Sequence, residues 1–342
     1  MTDSLPLVAI LVGMVLGAAS VANPNGEVIK KVREFDANHA LQFAKQICKL
    51  GPRYDGNKAE LKAADMFASA LQKYGLKVTK EKVPLGGGKY TYNVIAEIPG
   101  TKEPNRYVIV GSHIDSPGFC EGATDDAAAL GIQVEMARVL AKNFRPEKTV
   151  LIIGFGGEEL WFKGSKYFVE HHPDVVKNCD AMIDLNCVGA GEDVFLTRHS
   201  SLPSPVNGDP HLIQVLKSCA EKLGFPVTVG DTTYPSDTWP FYHNKIRRCP
   251  VCQVMNQPFK VAPWSEANTA DKLSAKDMEK TGETVTLAVV ELTNAKIASK
   301  PLWEVQASQQ GAKGGQGYFS PVWFPVALSG LLLALLARRR LF

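Results

Sequence analysis

The chain reads as an α/β protein: a three-layer sandwich with helices on both faces of a mixed, largely parallel central sheet. Three observations predict it. Strand-like and helix-like segments of ordinary length alternate along the 342 residues, the pattern of a sheet covered by helices. Lys148 to Phe155 (KTVLIIGF) runs apolar with no polar face, as a strand buried on both sides must. A histidine and several carboxylates sit just past predicted strands, and open α/β sheets bind their ligands beyond the strands' C-terminal ends.

In chain order, Asn38 to Leu50 has helical spacing through Leu41, Ala44, Ile47 and Cys48, and Gly51-Pro52 stops it. Asn57 to Tyr74 is a second amphipathic helix, ended by Gly75. Strands follow at Lys77 to Val83, Thr91 to Ile98 and Tyr107 to Gly111. The first two flank the Gly86-Gly87-Gly88 turn. Ala127 to Asn143 is a helix, Lys148 to Phe155 the central strand, Ser165 to His171 a short helix and Ala181 to Leu185 another buried strand. Helices at Pro210 to Gly224 and Ser274 to Ala298 complete the set. One domain, residues 25–298, contains all of it, and the length suffices for one large core.

Composition is that of a globular protein, with 45% hydrophobic and 21% charged residues. The net charge of +3 owes part of its excess to Arg338, Arg339 and Arg340. No basic stripe runs through the body, so nucleic acid is excluded as a partner. Both ends are apolar. Residues 1–22 read as a signal peptide with Ser20-Val21-Ala22 as its cleavage site, or as a retained N-terminal anchor, since the segment carries Asp3 and no lysine or arginine. Residues 299–317, rich in Gly, Gln, Ser and Lys, read as a flexible linker. Residues 318–342 hold an apolar run followed by three arginines, a transmembrane or sorting tail whose charges place the main domain outside the cell. A secreted or cell-surface protein, attached to a membrane through its tail, is the expectation. Seven cysteines leave at least one thiol without an intrachain partner. Cys249-Pro250-Val251-Cys252 is read as a local disulfide or two buried thiols, since a single CxxC is a weak zinc signal.

The chemistry concentrates at four places. In Gly111-Ser112-His113-Ile114-Asp115-Ser116, a histidine leaves a strand with a carboxylate two residues on, a spacing that lets the acid orient the ring. Asp125 and Asp126 precede an alanine-rich helix, where either serves as an N-cap or faces a cation. Glu158 and Glu159 follow the central strand. One can bind a metal while the other moves protons to and from a water. Asp184 ends a further strand in AMIDLNCVG. Imidazole and carboxylate ligands suit zinc or a similar divalent ion.

These segments resemble the M28 family of zinc aminopeptidases over about residues 38–298. The resemblance runs through GPR at Gly51, GSHIDS, GATDDAAAL, FGGEELWFKGS, MIDLNCVG, PSDTWPF at Pro235 to Phe241, and DKLS at Asp271. It implies a zinc-dependent exopeptidase fold, peptide substrates, and one or two zinc ions per chain. Carried over by position, His113 and Asp184 would hold one zinc, Asp125 would bridge to a second, and Glu159 would hold that second ion. Glu158 would be the general base and Asp115 the residue supporting His113. The family usually supplies a late histidine to the second zinc. No histidine follows His243 here. Ungapped alignment on Asp271 puts Trp264 in its place, a one-residue gap puts Asn268 there, and Glu266 or Asn268 is the expected oxygen substitute. Cys120, Phe162, Tyr234 and Trp239 are the expected walls of the substrate pocket. Metal-assisted release of N-terminal residues is the implied function. The competing readings are a non-catalytic membrane scaffold or receptor, and a glutaminyl cyclase-like enzyme.

Overall fold

A computed structural model describes residues 24–306 of the chain. The signal-peptide segment, most of the linker and the apolar tail lie outside the described residues. Among those described, no helix is long and apolar enough to cross a membrane. Three helices come first: α1 (Pro24–Val32), α2 (Ala37–Cys48) and α3 (Lys58–Gln72). Strands β1 (Lys77–Gly86), β2 (Lys89–Ile98) and β3 (Glu103–His113) precede α4 (Ala128–Asn143). Then come β4 (Phe144–Arg145), β5 (Lys148–Phe155), α5 (Lys163–His171), α6 (Pro173–Lys177), β6 (Cys179–Leu185), β7 (Gly191–Ser200) and β8 (Val206–Asn207). The last elements are α7 (Pro210–Lys222), β9 (Val227–Thr232), α8 (Thr238–His243), β10 (Val251–Phe259), α9 (Ala275–Leu292) and β11 (Lys296–Ile297).

Helix starts are set by local chemistry. Asn57 Oδ1 accepts the Glu60 N–H at 2.9 Å, and the Glu60 carboxylate reaches back to the Gly56 N–H at 2.7 Å, a reciprocal cap. Asp36 caps α2 through the Asn38 and His39 N–H groups, and Asp209 caps α7 just before Pro210.

The main sheet runs β1-β2-β5-β3-β6-β10-β7-β8, with β9 alongside β7. Its centre, β5-β3-β6-β10, is parallel, and antiparallel pairs flank it on both sides. Two cores cover the two faces. The larger holds Phe67, Leu71, Leu130, Met136, Val285 and their neighbours from α2, α3, α4, α7 and α9. The smaller holds Ile109, Ile153, Phe155, Phe168, Val176 and Phe241, closed by α5, α6 and α8. The three-layer expectation therefore holds. The parallel centre matters most for function, because it ends β3, β5 and β6 on one edge: His113 pairs with Phe155, and Gly111 with Asp184.

The seven cysteines are free thiols and all are buried. Cys249 and Cys252 are two buried thiols flanking the start of β10, the second of the two expected states.

Candidate metal centre

Two turns and one strand end bring the acids to the strand edge. After β3 the chain passes His113 and Asp115 and reaches a π turn at Ala123–Ala127. Gly122 enters that turn with φ of 58°, and a Cβ there would collide with Ser116 and with the Asp125 carbonyl, so only glycine fits. After β5 a 3-10 turn, Glu158–Leu160, starts from Gly157 at φ of 70°. Asp184 is the penultimate residue of β6 itself, at the C-terminal edge of the sheet.

Both ring nitrogens and the backbone N–H of His113 are held. Its Nε2 lies 2.9 Å from Asp125 Oδ1, its Nδ1 lies 3.2 Å from the Asp115 carbonyl oxygen, and its N–H donates to Asp126 Oδ2 at 3.2 Å. Asp115 does more than support this ring. Its carboxylate, 3.5 Å from His113 Nδ1, accepts the Glu158 N–H at 3.0 Å and the Glu159 N–H at 2.9 Å. One carboxylate thus fixes the turn that carries both glutamates. Sequence spacing pairs Asp115 with the histidine alone, because the turn it grips lies 43 residues further on.

His113, Asp125 and Glu159 can each offer a ligand atom within 4.8 Å of the others. Asp184 lies outside that trio. Ser236 donates to its Oδ2, and its Oδ1 is buried without a partner. Asp126 Oδ1, Glu159 Oε1 and Asp237 Oδ2 are likewise buried and unpartnered. The electrostatics follow from this burial. Burial pushes the Glu158 carboxyl far above its usual range, opposed by His113 and aided by Glu159 and Asp237. Burial, with the Asp125 charge, raises Glu159 to about 9. Asp184 rises strongly through burial and the nearby Asp237. Burial alone would lower His113, but its bonds with Asp115 and Asp125 outweigh that and raise it well above the ordinary value.

The buried guanidinium beside this cluster is Arg53, and it donates to the carbonyls of Ile114 (2.8 Å), Glu121 (2.6 Å) and Gly122 (3.1 Å). It braces the loop that holds His113 and Asp115 and forms no bond to the orphaned carboxylates. Sequence reading gave Arg53 no role beyond its place in the GPR motif. Buried carboxylate oxygens without donors are costly, and a divalent cation is what they and the imidazole suit. The residues fit a zinc ion.

The expected substitutes for the late histidine do not join this group. Asn268 Oδ1 accepts from the Thr124 N–H at 2.9 Å and its hydroxyl at 3.1 Å, while Nδ2 donates to the Pro263 carbonyl at 2.7 Å. Both lone pairs of its oxygen are spent, so Asn268 is a brace for the Asp125 turn. Glu266 is exposed. Trp264 lines the cavity over the centre together with Asp125, Glu158, Glu159, Trp161 and Tyr234. Of the expected pocket walls, Phe162 and Tyr234 line this cavity. Trp239 instead stacks on Phe162, with centroids 6.2 Å apart, and Cys120 is not among the lining residues.

The sequence profile of Peptidase family M28 matches residues 93–289. Aminopeptidase YwaD of Bacillus subtilis is 28% identical over 212 residues, covering 59% of this chain and 46% of that protein. A probable zinc metalloprotease of Pyrenophora tritici-repentis is 30% identical over 151 residues, covering 42% of this chain and 31% of that protein. The matches thus span less than half the length of these relatives. Among solved structures, a zinc aminopeptidase from Bacillus subtilis aligns with a TM-score of 0.65 at 18% identity, over 75% of this chain and 95% of that one. LapB from Legionella pneumophila aligns with a TM-score of 0.68 at 21% identity, over 79% of this chain and 76% of that one. These likenesses show the same fold.

Proposed function

Since the chain belongs to peptidase family M28, we propose that it is a zinc-dependent aminopeptidase releasing N-terminal residues from peptides at the centre built on His113. The observation that carries this reading is the pairing of a ligand trio, His113, Asp125 and Glu159, with a neighbouring buried glutamate, Glu158, that lines the same cavity. The trio would hold one ion, and Asp184, with its free Oδ1, is the remaining candidate ligand. A zinc ion bound there acidifies water and polarises the scissile carbonyl. Glu158 takes the proton from the attacking water and hands it to the leaving amine. Asp115 fixes the backbone turn from which Glu158 extends by accepting its N–H. The relatives' names, aminopeptidase and zinc metalloprotease, support the same reading. Export to the cell surface, inferred from the two apolar ends, is part of the proposal.

The test is hydrolysis of a leucine chromogenic anilide beside its N-acetylated form. Release from the free amine alone is the expected result. Equal cleavage of both would remove the aminopeptidase assignment, and no cleavage of either by zinc-loaded protein would remove the hydrolase.

A further inference from the structure

A second concavity lies outside the metal centre, on the face covered by α5 and α8. It measures about 420 Å³, and Val169, Trp239, Pro240 and Ile246 form its apolar part. Lys166, His243 and Lys245 also line it, with Glu170 the one acid among the lining residues. Ile246 is 41% exposed, an apolar side chain left in water between Lys245 and Arg247. The contacts made by the cations of this face are with carbonyls and rings. Arg247 donates to the carbonyls of Lys177 at 2.9 Å and Cys179 at 3.4 Å, and Arg248 lies over the Tyr242 ring at 4.2 Å. Burial and the neighbouring Lys163 lower the Lys166 ammonium from its usual range, with Glu170 opposing them. An apolar groove edged by cations short of acids suits an anionic ligand.

The groove begins at the wall of the metal-centre cavity. Trp161 and Phe162 both adopt left-handed conformations, with φ of 64° and 62°, a region that bulky side chains rarely enter and that recurs at functional sites. The double turn leaves Trp161 64% exposed and buries Phe162. Phe162 lines the cavity and stacks on Trp239, which lines the groove, with centroids 6.2 Å apart. Lys166 Nζ stands over both rings, 5.6 Å from the Phe162 centroid and 5.1 Å from that of Trp239, which places an ammonium at the junction. One stacked pair thus separates the two concavities, a span that an extended chain covers in about two residues. The cavity, at about 150 Å³, is too small to enclose a peptide, so residues downstream of a scissile bond lie outside it.

We propose that this groove is an exosite for acidic peptide substrates, holding carboxylate side chains a few residues downstream of the bond that is cut, with an apolar side chain seated among Val169, Trp239 and Ile246. The assignment rests on the aminopeptidase reading above. Each exposed ion pair contributes little, but several cations of one sign along a groove with apolar walls focus their field on an anionic chain. The concave form fits an extended peptide, whereas a flat anionic lipid surface would meet only the rim. A basic segment would be repelled by Lys166 and Lys245. The groove therefore selects by charge at a distance from the chemistry.

The experiment is steady-state kinetics of the zinc-loaded full chain on the amidated peptide Leu-Gly-Gly-Asp-Asp-Leu, on its Asn-Asn analogue and on the leucine anilide. Anisotropy binding of the fluorescent, N-acetylated acidic peptide accompanies it. The expected result is a KM about tenfold lower for the acidic peptide than for the neutral one, with kcat within about twofold. That difference should disappear near 1 M salt, where the Debye length is about 3 Å. Lys245→Glu, at an exposed position, should erase the difference and leave the anilide, too short to reach the groove, unchanged. Lys30→Glu, the same charge change at an exposed position on α1, should keep the difference. Equal KM values for the two peptides, a difference that survives Lys245→Glu, or one lost equally in Lys30→Glu would overturn the exosite. Lys245-dependent binding of the N-acetylated peptide by a chain that hydrolyses none of the substrates would leave the exosite standing and remove the aminopeptidase reading. Turnover without any charge preference would do the reverse. Lys245-dependent binding to phosphatidylserine vesicles, with no preference between the peptides, would give this face to a membrane surface instead.

Discussion

Glu135 and Asp184 are both carboxylates that the fold has removed from water, and their surroundings are opposite. Glu135, on α4, accepts the Asp36 N–H at 2.8 Å, faces His39 Nδ1 at 2.6 Å and accepts the Arg138 Nε–H at 2.8 Å. Asp184, at the end of β6, has one oxygen held by Ser236 and the other held by nothing. A buried acid surrounded by its own cations and N–H groups is part of the scaffold. One left short of partners, beside others in the same condition, costs stability that a proton or a bound cation offsets. The difference separates a carboxylate that serves the scaffold from one in the group proposed to hold an ion.

The largest expected effect falls on that group. Glu158→Gln should lower kcat by about 10³-fold with zinc content unchanged, checked by anilide hydrolysis and metal analysis of one preparation. Full activity with zinc retained would end its role as base. The matching change on the scaffold side is Glu135→Ala, which removes the partner of the Asp36 N–H, His39 and Arg138 and should cost about 1–3 kcal/mol in urea unfolding while leaving KM where it was. The comparison sharpens at Asp184, where the sign reverses. Asp184→Asn should raise the melting temperature of metal-free protein near neutral pH, because it removes a carboxyl whose ionisation burial opposes, and weaken zinc binding by at least about tenfold. A metal-free variant less stable than the parent would break the contrast. An effect on stability alone is due at Asn268. Asn268→Ala orphans the Thr124 N–H and should cost about 1–3 kcal/mol with the zinc count unaltered; loss of zinc would show that the Asp125 turn needs this brace to present its ligand.

The smallest effect is one of pH. Burial, and then the Asp115 charge, raise Glu60 to about 8 from its ordinary 4.5. The folded state therefore binds this proton more tightly than the unfolded one. Its contribution is fully present below about pH 4.5 and is lost as pH rises through about 8. Glu60→Gln should flatten the fall in the urea midpoint across that window, and an unchanged slope would assign the fall to other acids.

How much of this was legible in the sequence follows from the same physics. Strand β5 is a continuous apolar run and was read with its observed bounds, Lys148–Phe155. Strand β10 is not recognisable in the sequence, because Gln253, Asn256 and Pro258 interrupt its apolar residues. Strand β7 opens on Gly-Glu-Asp and was missed for a similar reason. The residues of the centre were legible because strand ends announce themselves locally. What they hold was not: the grip of Asp115 on the Glu158 turn and the bond of Asn268 to Thr124 join segments 43 and 144 residues apart. The outward turn of Trp161 depends on a left-handed backbone that no residue preference announces.

The most direct test of the central claim is the zinc content of the purified full chain, measured before and after His113→Ala. The account predicts about one tightly held zinc per wild-type chain, lost in the variant, with anilide turnover lost alongside it. A wild-type chain that takes up no zinc from saturated buffer and hydrolyses nothing would contradict it, leaving the orphaned carboxylates unexplained and favouring a non-catalytic scaffold of the same fold.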